Sequence, residues 1–170
     1  MPEHVVKPQE DLLSLEESKS RMVVVTPGRT IGEGDINLFA GLVGDFTPIH
    51  VDEVYAKASP FGARIAHGPL TMSTAIGMLT QTGVLGERVI ALLNLNWDFC
   101  GPVKVDDTIR SRVTRESRPS AKPGREVVTF VFEVINQHEQ VVQRGRMLVL
   151  MHAAEQPSRN RTMEQATGAP

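Results

Sequence analysis

Cysteine is almost absent from this chain of 170 residues. Cys100 is the only one, which excludes an intrachain disulfide and fits a reducing, cytoplasmic compartment. No apolar run approaches the ~18 residues a membrane helix needs, so the sequence reads as a soluble protein. An excess of charge is missing too. Eighteen basic residues stand against 20 acidic ones, interspersed, for a net charge of −2, which gives no electrostatic case for nucleic acid or an anionic membrane surface as partner. Met1-Pro2-Glu3-His4 has neither a basic n-region nor an apolar h-region, so no secretory signal is expected. The glycines form no phosphate-binding pattern, and H-x-x-x-H, C-x-x-C and G-x-S-x-G do not occur. His4, His138 and His152 have no metal-ligand spacing among themselves or with Cys100. The expectation is therefore no metal, no cofactor and no Ser or Cys triad.

What is present is one domain's worth of alternating patterns, with 41% hydrophobic residues and no internal repeat. Residues 1–20 are polar and without a period, and read as an arm. Residues 21–153 form the domain, and residues 154–170 are polar and expected to be a disordered tail. Met22-Val23-Val24-Val25-Thr26, ended by Pro27-Gly28, predicts a strand. Ile36, Phe39, Ala40 and Val43 follow a helical period, with Gly44 placed to end the helix. A further helical turn or two is expected within 51–58. Pro69 opens a second helix running to about Thr82, apolar nearly all round and so expected to be buried. Beyond it the period changes to two. Val89 to Phe99, Asp107 to Glu116, Glu126 to Asn136 and Gln140 to His152 predict four antiparallel strands. A helix wrapped by an antiparallel sheet is an α+β arrangement.

Two stretches carry chemistry. Gly44-Asp45-Phe46-Thr47-Pro48-Ile49-His50 sets a carboxylate and an imidazole five residues apart across a proline-stiffened turn, suited to an acid/base pair. Phe61-Gly62-Ala63-Arg64-Ile65-Ala66-His67-Gly68-Pro69 ends in a glycine at a helix start, where a free backbone N–H can meet developing negative charge. Together they imply proton transfer beside a carbonyl. His67 either caps and packs at the helix entrance or touches substrate. Asp52-Glu53, on a polar turn next to Lys57, reads as a solvated face. Trp97 and Phe99 alternate on a strand and read as core or as an intersubunit seam.

These two stretches, with Ala56 between them, resemble the MaoC-like, (R)-specific enoyl-CoA hydratase family over about residues 22–152. One position departs from the family pattern: Thr47 stands where Asn is usual. The resemblance implies a hot-dog fold, a homodimer or a higher assembly of dimers pairing sheets edge to edge, and an acyl-CoA thioester as substrate. It implies Asp45 and His50 as the catalytic pair and the Gly68 N–H as oxyanion donor. Thr47, Arg64 and His67 are the candidate substrate-binding residues beside them, with Arg64 either steering a CoA phosphate or holding its loop. The implied activity is a cofactor-independent hydro-lyase that adds water to a trans-2-enoyl-CoA or removes it from an (R)-3-hydroxyacyl-CoA. A hot-dog thioesterase and a non-catalytic acyl-thioester-binding subunit are the alternatives.

Overall fold

The structure is a computed structural model that describes residues 22–154, so the expected arm at 1–20 and all but the first residue of the expected tail at 154–170 lie outside the described residues. In chain order the elements are β1 (Met22–Val25), β2 (Arg29–Thr30), α1 (Glu33–Val43), α2 (Pro48–Val51), α3 (Glu53–Ala58), α4 (Gly68–Gln81), β3 (Val89–Phe99), β4 (Thr108–Pro119), β5 (Arg125–Ile135) and β6 (Val141–His152). The sheet is antiparallel with order β1-β4-β5-β6-β3, and β2 pairs with β4 off that path. The four long strands fall within three residues of the expected ends. The two-residue β2 escapes sequence reading because nothing so short carries a period.

Alternation along the strands selects the core. Val128, Phe130, Phe132 and Val134 of β5 are fully buried, and Met147, Val149 and Met151 continue the same face on β6. Helix α4 lies against this face through Ala75, Met78 and Leu79, with Thr71 also buried. The expectation of a helix buried all round is corrected here. Pro69, Ser73, Thr80 and Gln81 are exposed, because the buried positions 71, 75, 78 and 79 form one helical stripe. Among the described residues, no helix is long and apolar enough to cross a membrane.

The first half of the chain supplies the site. Helix α1 starts at Gly32, whose N–H donates to the Asp35 carboxylate (2.9 Å), while Arg29 pairs with the same side chain (2.7 Å). It ends at Gly44, which adopts φ 76 and donates its N–H to the Ala40 carbonyl (2.8 Å). That left-handed turn is open to glycine without a Cβ penalty, and it swings the chain off the helix just before Asp45. Pro48 then opens α2, a single helical turn with His50 on its buried side. Asp52 closes α2 and caps α3 by accepting from the Tyr55 N–H (2.9 Å).

Candidate active site

Asp45 sits on the short link between α1 and α2. Its Oδ1 accepts from the Thr47 backbone N–H (3.1 Å) and the Thr47 hydroxyl (2.6 Å), an Asx turn closed twice by the same residue. The Thr47 hydroxyl first, and its N–H second, hold the Asp45 carboxyl below the usual carboxylate range. Partial desolvation opposes this weakly, and the neighbouring imidazoles of His67 and His50 add a smaller push in the same direction. Asp45 is thus an ionised carboxylate with 46% of its side chain open to solvent.

His50 is buried at 8% exposure, and its Nδ1 lies 2.8 Å from the Ile65 carbonyl. A carbonyl only accepts, so Nδ1 donates here and Nε2 is the nitrogen left for another partner. The acceptor is well fixed. The Ile65 N–H donates to the Ile49 carbonyl (3.2 Å), and the next N–H, of Ala66, donates to the Val103 carbonyl (2.7 Å). His67 follows, 2% exposed, with its ring stacked on His50 at 3.8 Å between centroids and 25° between planes. Its Nε2 bonds the Asp45 backbone carbonyl (2.9 Å), and Phe39 of α1 leans against it at 5.2 Å.

Gly68 is the first residue of α4, so its N–H is among the four that a helix leaves without an internal acceptor. Its carbonyl accepts from Gln143 Nε2 (3.1 Å), and Gln143 Oε1 accepts from Trp97 Nε1 (2.8 Å). The Phe99 ring covers the glycine so closely that a Cβ there would stand 2.7 Å from a ring carbon. Close approach, not turn geometry, is what this glycine provides.

The structure therefore brings Asp45, Thr47, His50 and His67 together, with Gly68 the next residue along the chain from His67. Arg64 is held elsewhere. It is 11% exposed and shares its guanidinium between Glu33 of α1 (2.6 Å) and Glu53 of α3 (3.0 Å), which together raise its pKa. The loop-holding role weighed for Arg64 is the contact observed. Asp52 and Glu53 are exposed, as expected of a solvated face, and in addition serve as a helix cap and a salt-bridge partner. Thr47 and His67 contact the Asp45–His50 pair, and the burial of His67 leaves it almost no surface for a substrate. Gln143 and Phe99 were missed as site residues. The period-2 alternation that puts Gln143 on the same face as Met147 and Val149 was the available signal, since an amide on a buried face needs partners.

Asp45, His50 and His67 each offer a ligating atom, all within 4.8 Å of one another. Two of the four ring nitrogens, His50 Nδ1 and His67 Nε2, are already engaged by backbone carbonyls, which leaves one nitrogen on each ring.

The description "MaoC like domain" fits residues 16–137 as a family model. This chain belongs to the MaoC-like domain family. Among MaoC-like relatives, it is similar to the (R)-specific enoyl-CoA hydratase of Rhodospirillum rubrum, 39% identical over 102 residues that cover 60% of this chain and 67% of that one. It is 42% identical to Protein MaoC of Klebsiella aerogenes over 92 residues, 54% of this chain but only 27% of the relative. The crystal structure of a MaoC-like dehydratase from Rhodospirillum rubrum superposes with a TM-score of 0.72 at 26% identity, covering 81% of this chain and 94% of that chain. The MaoC-like fold is the hot-dog fold that the resemblance implied.

Proposed function

We propose that this MaoC-like chain is a hydro-lyase that adds water across the double bond of a trans-2-enoyl thioester, or removes it from an (R)-3-hydroxyacyl thioester. The observation that carries the reading is a hydrogen-bonded carboxylate and two imidazoles whose polar atoms lie within 4.8 Å of one another, with the second imidazole, His67, immediately preceding the helix-start residue Gly68. Hydration needs a base for a water proton, an acid for Cα and a donor for the enolate-like oxygen. Asp45 and His50 divide the first two tasks around one water. As the water oxygen bonds Cβ, the C=C electrons move onto the thioester carbonyl, and the Gly68 N–H receives the resulting negative charge. The enolate then collects a proton at Cα, balancing the one taken from water. The start of α4 adds a dipole contribution of ~0.3–1 kcal/mol. Thr47 orients the base, and Arg64 fixes the loop that carries His67 and Gly68.

Crotonyl-CoA in deuterated water tests this. Loss of the conjugated enoyl absorbance, with deuterium entering Cα and little free thiol, is the expected result. Asp45→Asn and His50→Gln are each expected to lower kcat by at least ~100-fold, the ordinary span of general acid/base catalysis, while the proteins stay folded. Faster thiol release from saturated acyl-CoAs than absorbance loss from enoyl-CoAs would make the protein a thioesterase. Silence with every acyl chain would make it a binding subunit.

A further inference from the structure

We propose that His67 is a positioning residue that locks the Asp45–His50 pair to the start of α4, an inference that rests on the acid/base reading above. Three contacts converge on this one side chain. Its Nε2–H donates to the Asp45 backbone carbonyl (2.9 Å), fixing the link between α1 and α2 from inside the protein. Its ring face stacks on His50 at 3.8 Å, and Phe39 flanks it at 5.2 Å, so the imidazole bridges α1 and α2. Its own carbonyl accepts from the Thr71 N–H (3.2 Å), making it the N-cap of α4, immediately before the proposed oxyanion donor Gly68. One residue thus touches the base, the second proton-handling group and the peptide unit whose N–H meets the developing charge.

The unused nitrogen argues that this is more than packing. His67 Nδ1 is buried without a hydrogen-bond partner. A buried acceptor left unpaired is a liability that an apolar side chain of similar size would avoid. The imidazole is retained for what its other nitrogen does, and that nitrogen holds Asp45. The Asp45 side chain itself is half open to solvent and makes its two hydrogen bonds within its own turn, so among the described residues the His67 bond is the one that ties that turn to the start of α4. Burial at 2% places His67 behind the pair, not among the groups that meet substrate.

The test compares three variants. His67→Leu fills the space without a donor. His67→Gln carries an amide N–H out to the level of Nε2, and His67→Asn carries one only to the level of Nδ1, short of the Asp45 carbonyl. In crotonyl-CoA hydration, Leu and Asn are expected to lower kcat 10- to 100-fold with KM within twofold of the parent, and Gln to recover most of kcat. Amide hydrogen exchange provides a readout independent of turnover. The Thr47 amide, bonded to Asp45 Oδ1, is expected to exchange at least tenfold faster in Leu and Asn while the amides of β5 keep their protection, with Gln close to the parent. If Leu fails to fold, the polar Asn variant carries the same comparison. A Leu or Asn protein with unchanged Thr47 exchange overturns the proposal, as does a Gln variant as impaired as Leu. A parent protein that hydrates no enoyl-CoA but shows the exchange pattern refutes the hydratase reading and leaves the positioning role standing.

Discussion

Thr47 donates twice to one carboxylate oxygen, and this decides how Asp45 titrates. Because the folded carboxyl lies below its unfolded value, the Thr47 bonds stabilise the protein above the unfolded pKa of about 3.9, and that contribution is lost as pH falls through the lower folded value. Thr47→Val removes the larger of the two causes and keeps the smaller. The Asp45 titration, followed by carboxyl carbon NMR, is expected to move upward in Val and stay low in Thr47→Ser. The acid limb of kcat/KM is expected to move the same way. An unchanged Val titration would show that the backbone N–H alone sets the carboxylate. At this scale much was legible. Asp45 and His50 stand out because Gly, Pro and their spacing are local, and local geometry is what a sequence encodes most directly. His67 was ambiguous for the opposite reason, since its partners Asp45, His50 and Phe39 come from other elements and only folding reveals which ring nitrogen they occupy.

Among the elements, α4 connects the sheet to the chemistry. Its first carbonyl is tied by Gln143 to β6 and through Trp97 to β3, so the Gly68 peptide is steadied from the core side. The Phe99 ring, two residues along β3 from Trp97, also packs on this glycine. Adding a methyl group in Gly68→Ala drives a Cβ to within 2.7 Å of the Phe99 ring, and either the ring or the N–H must shift. We expect kcat to fall by up to about 100-fold, the lower end of what losing an oxyanion donor costs, and Phe99→Ala in the same chain to restore part of it. Additive losses in the double variant would break the proposed link between ring and donor. The elements themselves were readable from period and punctuation, with Gly44, Pro69 and Thr82 all marking ends. The one-sided burial of α4 was not, because Met72 and Ile76 are apolar yet only half-buried, Ile76 packing at the margin of the core. Which apolar face docks is settled by the partner surface, and a helix sequence does not contain it.

Taken whole, the molecule has an open side. Strand β3 spans 11 residues and pairs only with β6, leaving its outer edge without a strand among the described residues, while Leu92, Leu93 and Phe99 are each at least half exposed. Natural sheets seldom leave a long apolar edge uncovered. We therefore expect two copies to pair along β3, and light scattering at micromolar concentration to give at least twice the chain mass of 18.7 kDa. A mass equal to one chain would refute this. Trp97, the single tryptophan of the chain, lies over Gly145 so tightly that a Cβ there would stand 2.0 Å from its ring, and it bonds the amide that holds Gly68. The protein thus carries its own optical probe. The emission of one indole, unmixed with any other, reports at once on the edge strand where a second copy would arrive and on the backbone that would meet the substrate's charge.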